Sequence, residues 1–324
     1  MAKNLIGKNW VESSSGNILE ILNPATGEVI DTVPESNEKD ANEAVEAAIL
    51  GQKKWAKRPL HERGKILMKF AELVEKNKDE LADLLSRETG KPIKEAIGEI
   101  ANVQIGVPAF VEKAKHEYGH LIPNGQEPGN ENTIQYTVQE PLGVVVAIIP
   151  FNFPSDLFCQ KVPSALIMGN SVILKPSGHN PLTLIKYAEL LLEAGVDEGA
   201  INVINGSGAP AAQALAANPK VALVSLTGST KAGMETMQTC GKNLHHIMLE
   251  LGGNDAFILD KDGDVDLAVE ETVWGRLYNT GQVCCASKRF LIHNSVKKEY
   301  IEKLLERIKK IKLGMPSDPT VELG

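Results

Sequence analysis

The chain has 324 residues, a formal net charge of −8 and a hydrophobic fraction of 43% with only 5% aromatics, which is enough for a large core shared between two or more lobes. The acidic balance argues against non-specific nucleic-acid binding. The longest apolar stretch, residues 143–150, is too short to span a bilayer, and Met1-Ala2-Lys3-Asn4 leads into no apolar leader.

Residues 5–32 read as short strands and turns, with Asn23-Pro24 and Thr26-Gly27 as turn chemistry. Helical periodicity follows over 40–56, 60–77, 81–88 and 92–117. In the second of these Ile66, Phe70, Leu73 and Val74 share a face, and Pro92 suits a first helical turn. Residues 121–132 are turn-rich, and 133–139 alternate as an exposed β-segment would. From Gly143 short apolar strands, over 144–149, 171–174, 201–204 and 222–226, alternate with helical patterns over 182–194 and 209–217. This predicts an α/β fold, a doubly wound parallel sheet with helices on both faces, which holds nucleotides at its strand carboxyl ends. A second α/β unit starts near Leu251, with strands over 256–259 and 289–292 and helices over 265–280 and 296–311.

Four cysteines (Cys159, Cys240, Cys284, Cys285), two of them adjacent, make no disulfide framework and point to a reducing, cytoplasmic setting. Three segments carry chemistry-bearing side chains: Pro150-Phe151-Asn152-Phe153-Pro154, Met248-Leu249-Glu250-Leu251-Gly252-Gly253 and Asn279-Thr280-Gly281-Gln282-Val283-Cys284-Cys285-Ala286. Each has a bland reading taken alone: Asn152 as a turn residue before Pro154, Glu250 as a strand-end surface acid, Cys284 as a buried structural thiol. Residues 205–211, Asn205 to Ala211, approximate G-x-G-x-x-A between a strand and a helix and would by themselves be taken for a dinucleotide fingerprint. His245-His246 is an adjacent pair without zinc-site spacing, so no metal is expected.

In type, order and approximate spacing the three segments together resemble the aldehyde dehydrogenase superfamily. The likeness runs from Asn23-Pro24-Ala25-Thr26-Gly27 to the last residue. The run into Cys284 and the Lys288-Arg289-Phe290 stretch look most like succinate-semialdehyde dehydrogenases. The resemblance implies a dinucleotide-binding domain at 1–120 and 140–250, an oligomerisation hairpin at 121–139, and the N-terminal part of a catalytic domain at 251–324. The rest of that domain, including a glutamate loop that holds the nicotinamide ribose and a terminal oligomerisation strand, is expected to be absent from this chain, which reads as truncated at Gly324. A homodimer or homotetramer is expected of the full-length form.

The resemblance also assigns roles. Cys284 becomes the nucleophile, through a thiohemiacetal and a thioester, and Cys285 a packing residue. Asn152 and the Cys284 N–H become the oxyanion donors. Glu250 becomes the base that activates water, with a raised pKa if buried, which disfavours transfer to coenzyme A. Lys161 matches a family lysine with a relay or structural role, a snorkelling lysine being the ordinary alternative. NAD or NADP is expected against Ile149, Pro150, Phe151, Lys175, Ser177, Gly208, Thr227, Gly228, Ser229, Leu251 and Gly252, with the pyrophosphate at Gly228-Ser229 rather than at the 205–211 segment. Gly178 stands where NAD-preferring members often carry a glutamate, so Lys175 and Ser177 are free to take a 2′-phosphate. Phe153, Leu157, Phe158, Gln160, Tyr278 and Val283 are expected to line the substrate tunnel. The expected substrate is succinate semialdehyde, by subgroup likeness, or a neutral short hydroxyaldehyde, which fits better at Gln160 and Tyr278, where many semialdehyde enzymes hold arginines. The alternative is a truncated, non-catalytic protein that binds dinucleotide or pairs with full-length subunits.

Overall fold

The computed structural model describes residues 1–324, the side chain of Ala209 excepted. In chain order the elements are β1 (Asn4–Ile6), β2 (Asn9–Val11), β3 (Ile18–Leu22), β4 (Val29–Pro34), α1 (Glu38–Trp55), α2 (Leu60–Lys76), α3 (Lys78–Thr89), α4 (Ile93–Ala114), β5 (Leu121–Ile122) and β6 (Gln135–Tyr136). There follow β7 (Val144–Ile148), α5 (Pro154–Ile167), β8 (Ser171–Lys175), α6 (Leu182–Ala194), β9 (Ile201–Val203), α7 (Ala209–Ala217), β10 (Leu223–Thr227), α8 (Thr230–Gly241) and β11 (His246–Glu250). The last unit holds β12 (Asp255–Leu259), α9 (Val265–Leu277), a 3-10 turn (Tyr278–Gly281), β13 (Ser287–Ile292) and α10 (Asn294–Ile308).

The main sheet has the order β11-β10-β7-β8-β9-β1-β2. Its first five strands are parallel, because each returns through a helix that must cover the sheet, and β7 and β8 are buried apolar runs as such a position requires. The expected doubly wound parallel sheet is present, and one edge adds antiparallel strands, β1 pairing with β9, and β2 with β1. Strands β1 and β2 are joined by a two-residue turn, too short for a crossover helix. One face buries Phe70, Phe158, Tyr187 and Trp55 beneath α2 to α6; the other buries Val45, Val146, Ile173, Leu215 and Val224 beneath α1 and α7. The strand carboxyl ends lie between these layers and open toward the β12·β13 unit, which is parallel and packs on α9 and α10.

Two further differences from the patterning matter for the site. Sequence periodicity does not mark α5, whose interior Pro163 lacks an N–H to continue the ladder, yet this helix carries the residues after Asn152. Helix α9 stops at Leu277, short of residue 280, because Asn279 and Thr280 adopt left-handed backbone with φ of 49° and 57°. In the 121–139 segment pairing is confined to Leu121↔Tyr136 and Ile122↔Gln135, leaving Leu121, Ile134 and Tyr136 more than two-thirds exposed. No helix among the described residues is long and apolar enough to cross a membrane.

Candidate active site

A cleft of about 1100 Å³ runs from the carboxyl ends of β7, β8 and β10 to the turn that carries Cys284. Every site residue singled out from the sequence lines it except Glu250, Lys161 and Phe158. Phe158 is fully buried instead, 4.8 Å from the Tyr187 ring and 6.0 Å from Phe70, so its tunnel assignment is corrected to core packing. The helical period explains this: Phe153, Leu157 and Gln160 share the cleft face of α5, while Phe158 points behind it.

Cys284 is exposed in the cleft, and its N–H has no partner among the described residues. Its loop is held from several sides. Asn152 Nδ2 donates to the Gln282 carbonyl at 2.9 Å, which leaves a second amide N–H for the cleft. The Asn279 side chain donates to the Asn152 carbonyl at 2.9 Å, and its backbone N–H donates to Glu95 at 3.0 Å. Lys91 donates to the same Asn152 carbonyl at 2.9 Å and pairs with Glu99, both side chains being essentially inaccessible. Glu99 accepts in turn from the Ser155 N–H at 2.7 Å. The backbone on either side of Asn152 is thereby locked to the loop that ends in Cys284.

From the other side Lys288 Nζ donates to the carbonyls of Gly253 and Cys284, at 2.8 and 2.9 Å. Gly253 is required by this approach, since a Cβ there would fall 2.6 Å from the Cys284 carbonyl oxygen. Cys285, expected to pack, is exposed on the cleft wall, and burial together with the neighbouring Cys284 raises its pKa. All four cysteines are free thiols.

Glu250 ends β11, and its backbone carbonyl accepts from the Gly228 N–H at 3.0 Å. Its side chain is exposed in the structure rather than buried. Register sets Ser225 beside Met248 and Thr227 beside Glu250, so Ser225 and Glu250 share the sheet face on which α5 packs. Lys161 reaches that face, donating to Ser225 Oγ at 2.7 Å. The snorkelling alternative is set aside for Lys161, because the ammonium is buried. Burial pushes it down to about 8, against the opposing pull of the Glu250 charge.

At the opposite end of the cleft Ser229 caps α8 by accepting from the Ala232 N–H at 3.2 Å. The first-turn N–H groups at 229–231 then have no helical acceptor, and Thr227 Oγ1 is buried without a partner. The Gly228 N–H is spent on Glu250, so the donors available for a phosphate are those of the helix start rather than of that glycine. In the 205–211 segment Ser207 N–H and Oγ both donate to Glu35, at 3.0 and 2.7 Å. The protein's own carboxylate therefore occupies the donors a phosphate would need. Lys175 is buried and spends two donors on the Pro176 and Gly206 carbonyls, both at 2.8 Å, with its pKa lowered to about 8 by burial. A Cβ at Gly178 would lie 2.8 Å from Ser207 Cα, so a longer side chain is excluded without movement of that loop. The free helix start, the unpartnered threonine and this glycine fit a dinucleotide.

Sequence reasoning missed Lys91, Glu95, Glu99 and Asp156. The first three are distant in sequence from the segments they hold. The signal for Asp156 was its place on the cleft face of α5, available only once that helix is recognised.

A family model described as "Aldehyde dehydrogenase family" matches residues 10–324. The chain is 38% identical over 315 residues to a D-glyceraldehyde dehydrogenase (NADP(+)) of Picrophilus torridus, covering 97% of this chain and 63% of the relative. It is 34% identical to a succinate-semialdehyde dehydrogenase [NADP(+)] of Escherichia coli, covering 99% of this chain and 66% of the relative. A solved 3,6-anhydro-L-galactose dehydrogenase in complex with NAP superposes with a TM-score of 0.96 at 32% identity, over 100% of this chain and 67% of its own. A Staphylococcus aureus betaine aldehyde dehydrogenase solved with NAD+ also reaches 0.96, at 35% identity, over 100% of this chain and 65% of its own. The chain spans a little under two thirds of the length of the curated relatives it matches.

Proposed function

The chain belongs to the aldehyde dehydrogenase family, and from that premise we propose that it oxidises a short, uncharged hydroxyaldehyde to the carboxylic acid with NAD or NADP. The observation that carries the reading is one cleft that holds both the exposed Cys284 thiol and the Asn152 amide, which is hydrogen-bonded to the loop two residues before that cysteine.

The Cys284 thiolate adds to the aldehyde carbon and forms a thiohemiacetal. The developing oxyanion is met by the free N–H of the Asn152 amide and by the Cys284 backbone N–H, both fixed before the reaction. A dinucleotide bound against Ile149, Lys175, Ser177, Thr227 and the start of α8 supplies the acceptor for the hydride lost from the adduct carbon. Glu250 then takes a proton from water that attacks the Cys284 thioester, releasing the acid and regenerating the thiol. Lys161, buried beside Ser225 and sensing the Glu250 charge, suits a relay for that proton. The presence of Glu250 favours hydrolysis over transfer to coenzyme A.

The relative named for D-glyceraldehyde supports a hydroxyaldehyde, and those named for semialdehydes support a distal carboxylate. Gln160 and Tyr278 favour the former, because neither supplies the cation a desolvated carboxylate needs. The absence of a carboxylate at Gly178 favours NADP. The exposed apolar residues of the 121–139 hairpin suit homo-oligomer formation, and the free thiols suit a reducing, cytoplasmic setting.

The test is aldehyde-dependent formation of NAD(P)H by the purified protein with glyceraldehyde and with succinate semialdehyde. Turnover that vanishes in Cys284→Ser and needs no coenzyme A supports the reading. Cofactor binding with no turnover of any aldehyde would instead support a non-catalytic dinucleotide-binding role.

A further inference from the structure

Phe153, Asp156, Leu157 and Gln160 form an i, i+3, i+4, i+7 stripe at the start of α5, and all four line the cleft. The stripe runs from the Asn152 turn toward Tyr278 and Trp274, whose rings continue a stack that begins at Phe153, with centroids 5.6 and 5.8 Å apart. The outer face of Phe153 is covered by Lys91, 4.4 Å from the ring centre. These aromatic faces are thus already paired, and polarity at this end of the cleft comes from Gln160, the Tyr278 hydroxyl and Asp156. The remaining carboxylate on the cleft wall, Glu235, sits on α8 at the far end. The cations on the wall offer no counterweight: Lys175 is buried against carbonyls, and Lys288 is aimed at the Gly253 and Cys284 carbonyls.

We infer that Asp156 is a specificity-determining residue whose carboxylate turns away aldehydes bearing a distal carboxylate and accepts a hydrogen bond from a hydroxyl of an uncharged hydroxyaldehyde. This rests on the aldehyde-oxidising reading above. Like charges facing each other in a partly desolvated channel are costly, whereas a hydroxyl donor meets an ionised acceptor favourably. The groups around Asp156 are Glu99 and Asn102 of α4, Lys91, Cys159, Tyr187 of α6 and Tyr278. Burial first, and the Glu99 charge second, hold its carboxyl up at about 6. The filter is therefore charged at neutral pH and fades as pH falls below that value.

The experiment compares kcat/KM for succinate semialdehyde and glyceraldehyde in the unaltered protein, Asp156→Asn and the similarly sized Asp156→Leu. Both variants are expected to raise the ratio of anionic to neutral aldehyde by about tenfold. In the unaltered protein alone the ratio should climb as pH drops below about 6. Should the unaltered protein turn over neither aldehyde, the aldehyde-oxidising reading fails, and a second readout still judges Asp156. That readout is the rate of Cys284 alkylation by iodoacetate relative to iodoacetamide, scored by mass spectrometry so that Cys285 is counted separately. Loss of the carboxylate should raise that ratio severalfold at low ionic strength. Ratios unchanged within about twofold in both variants would overturn the inference.

Discussion

Asn152 and Glu250 serve the same proposed reaction but are held in opposite ways. The carbonyl of Asn152 accepts from a buried lysine and from Asn279, and its amide donates into the nucleophile loop. Glu250 stands exposed at the end of an edge strand, tied only through its backbone, with Gly252-Gly253 following. A group that stabilises charge in a transition state gains from being fixed beforehand, since reorganisation then costs nothing during the step. A base needed only after the acyl group has formed gains from freedom to approach. The difference teaches that burial marks the residues that build this site more than those that turn it over.

The comparison breaks most decisively at Lys91. Lys91→Met leaves the Glu99 carboxylate buried without its partner, and a loss of about 3–5 kcal/mol in unfolding free energy is expected by denaturant titration. Lys91→Met combined with Glu99→Gln should recover part of that loss. Asn152→Ala removes one oxyanion donor, so kcat should fall by about 10²–10³-fold in steady-state assays. A fall within about threefold would make Asn152 a turn residue after all.

The pH dependence of stability follows from Glu88. This acid is buried and accepts from the Leu182 and Thr183 N–H groups, at 2.7 and 2.9 Å. Burial dominates over those bonds and raises its pKa to about 7 from the ordinary 4.5. The folded form therefore keeps a proton that the unfolded chain has lost, and stability falls as pH rises between these two values. Glu88→Gln should flatten that fall, read as the denaturant midpoint against pH. The smallest effect is expected at Glu250→Gln, with stability unchanged within about 0.5 kcal/mol. The same variant should accumulate a Cys284 acyl adduct visible by intact-mass measurement. A large stability loss there would contradict an exposed, weakly held carboxylate.

How much was legible depended on how locally each feature is encoded. Strand β7 is a run of Val, Ala and Ile, and α6 spans 182–194 as its apolar spacing predicts, because the period of side-chain burial is written in consecutive residues. Helix α5 escaped that reading, since Pro163 interrupts the pattern while neighbouring elements supply the burial that keeps the helix formed. With it went the correct direction of Phe158 and the presence of Asp156 on the cleft wall. The 205–211 segment shows the converse case: taken alone its glycines read as a phosphate loop, yet Glu35, far away in sequence, is seated on the Ser207 N–H.

The sequence by itself determined the strand-helix alternation, the family and the order of cysteine, amide and carboxylate along the chain. These follow from short-range periodicity and from motifs a few residues long. Only the tertiary structure decided that Lys91 and Glu99 brace the Asn152 turn, that Lys161 is buried beside Ser225, and that Glu250 and Cys285 remain exposed. Each of those facts depends on the dielectric surroundings and the partners of a side chain. Both are set by segments dozens to hundreds of residues apart that meet only when the sheet is wound.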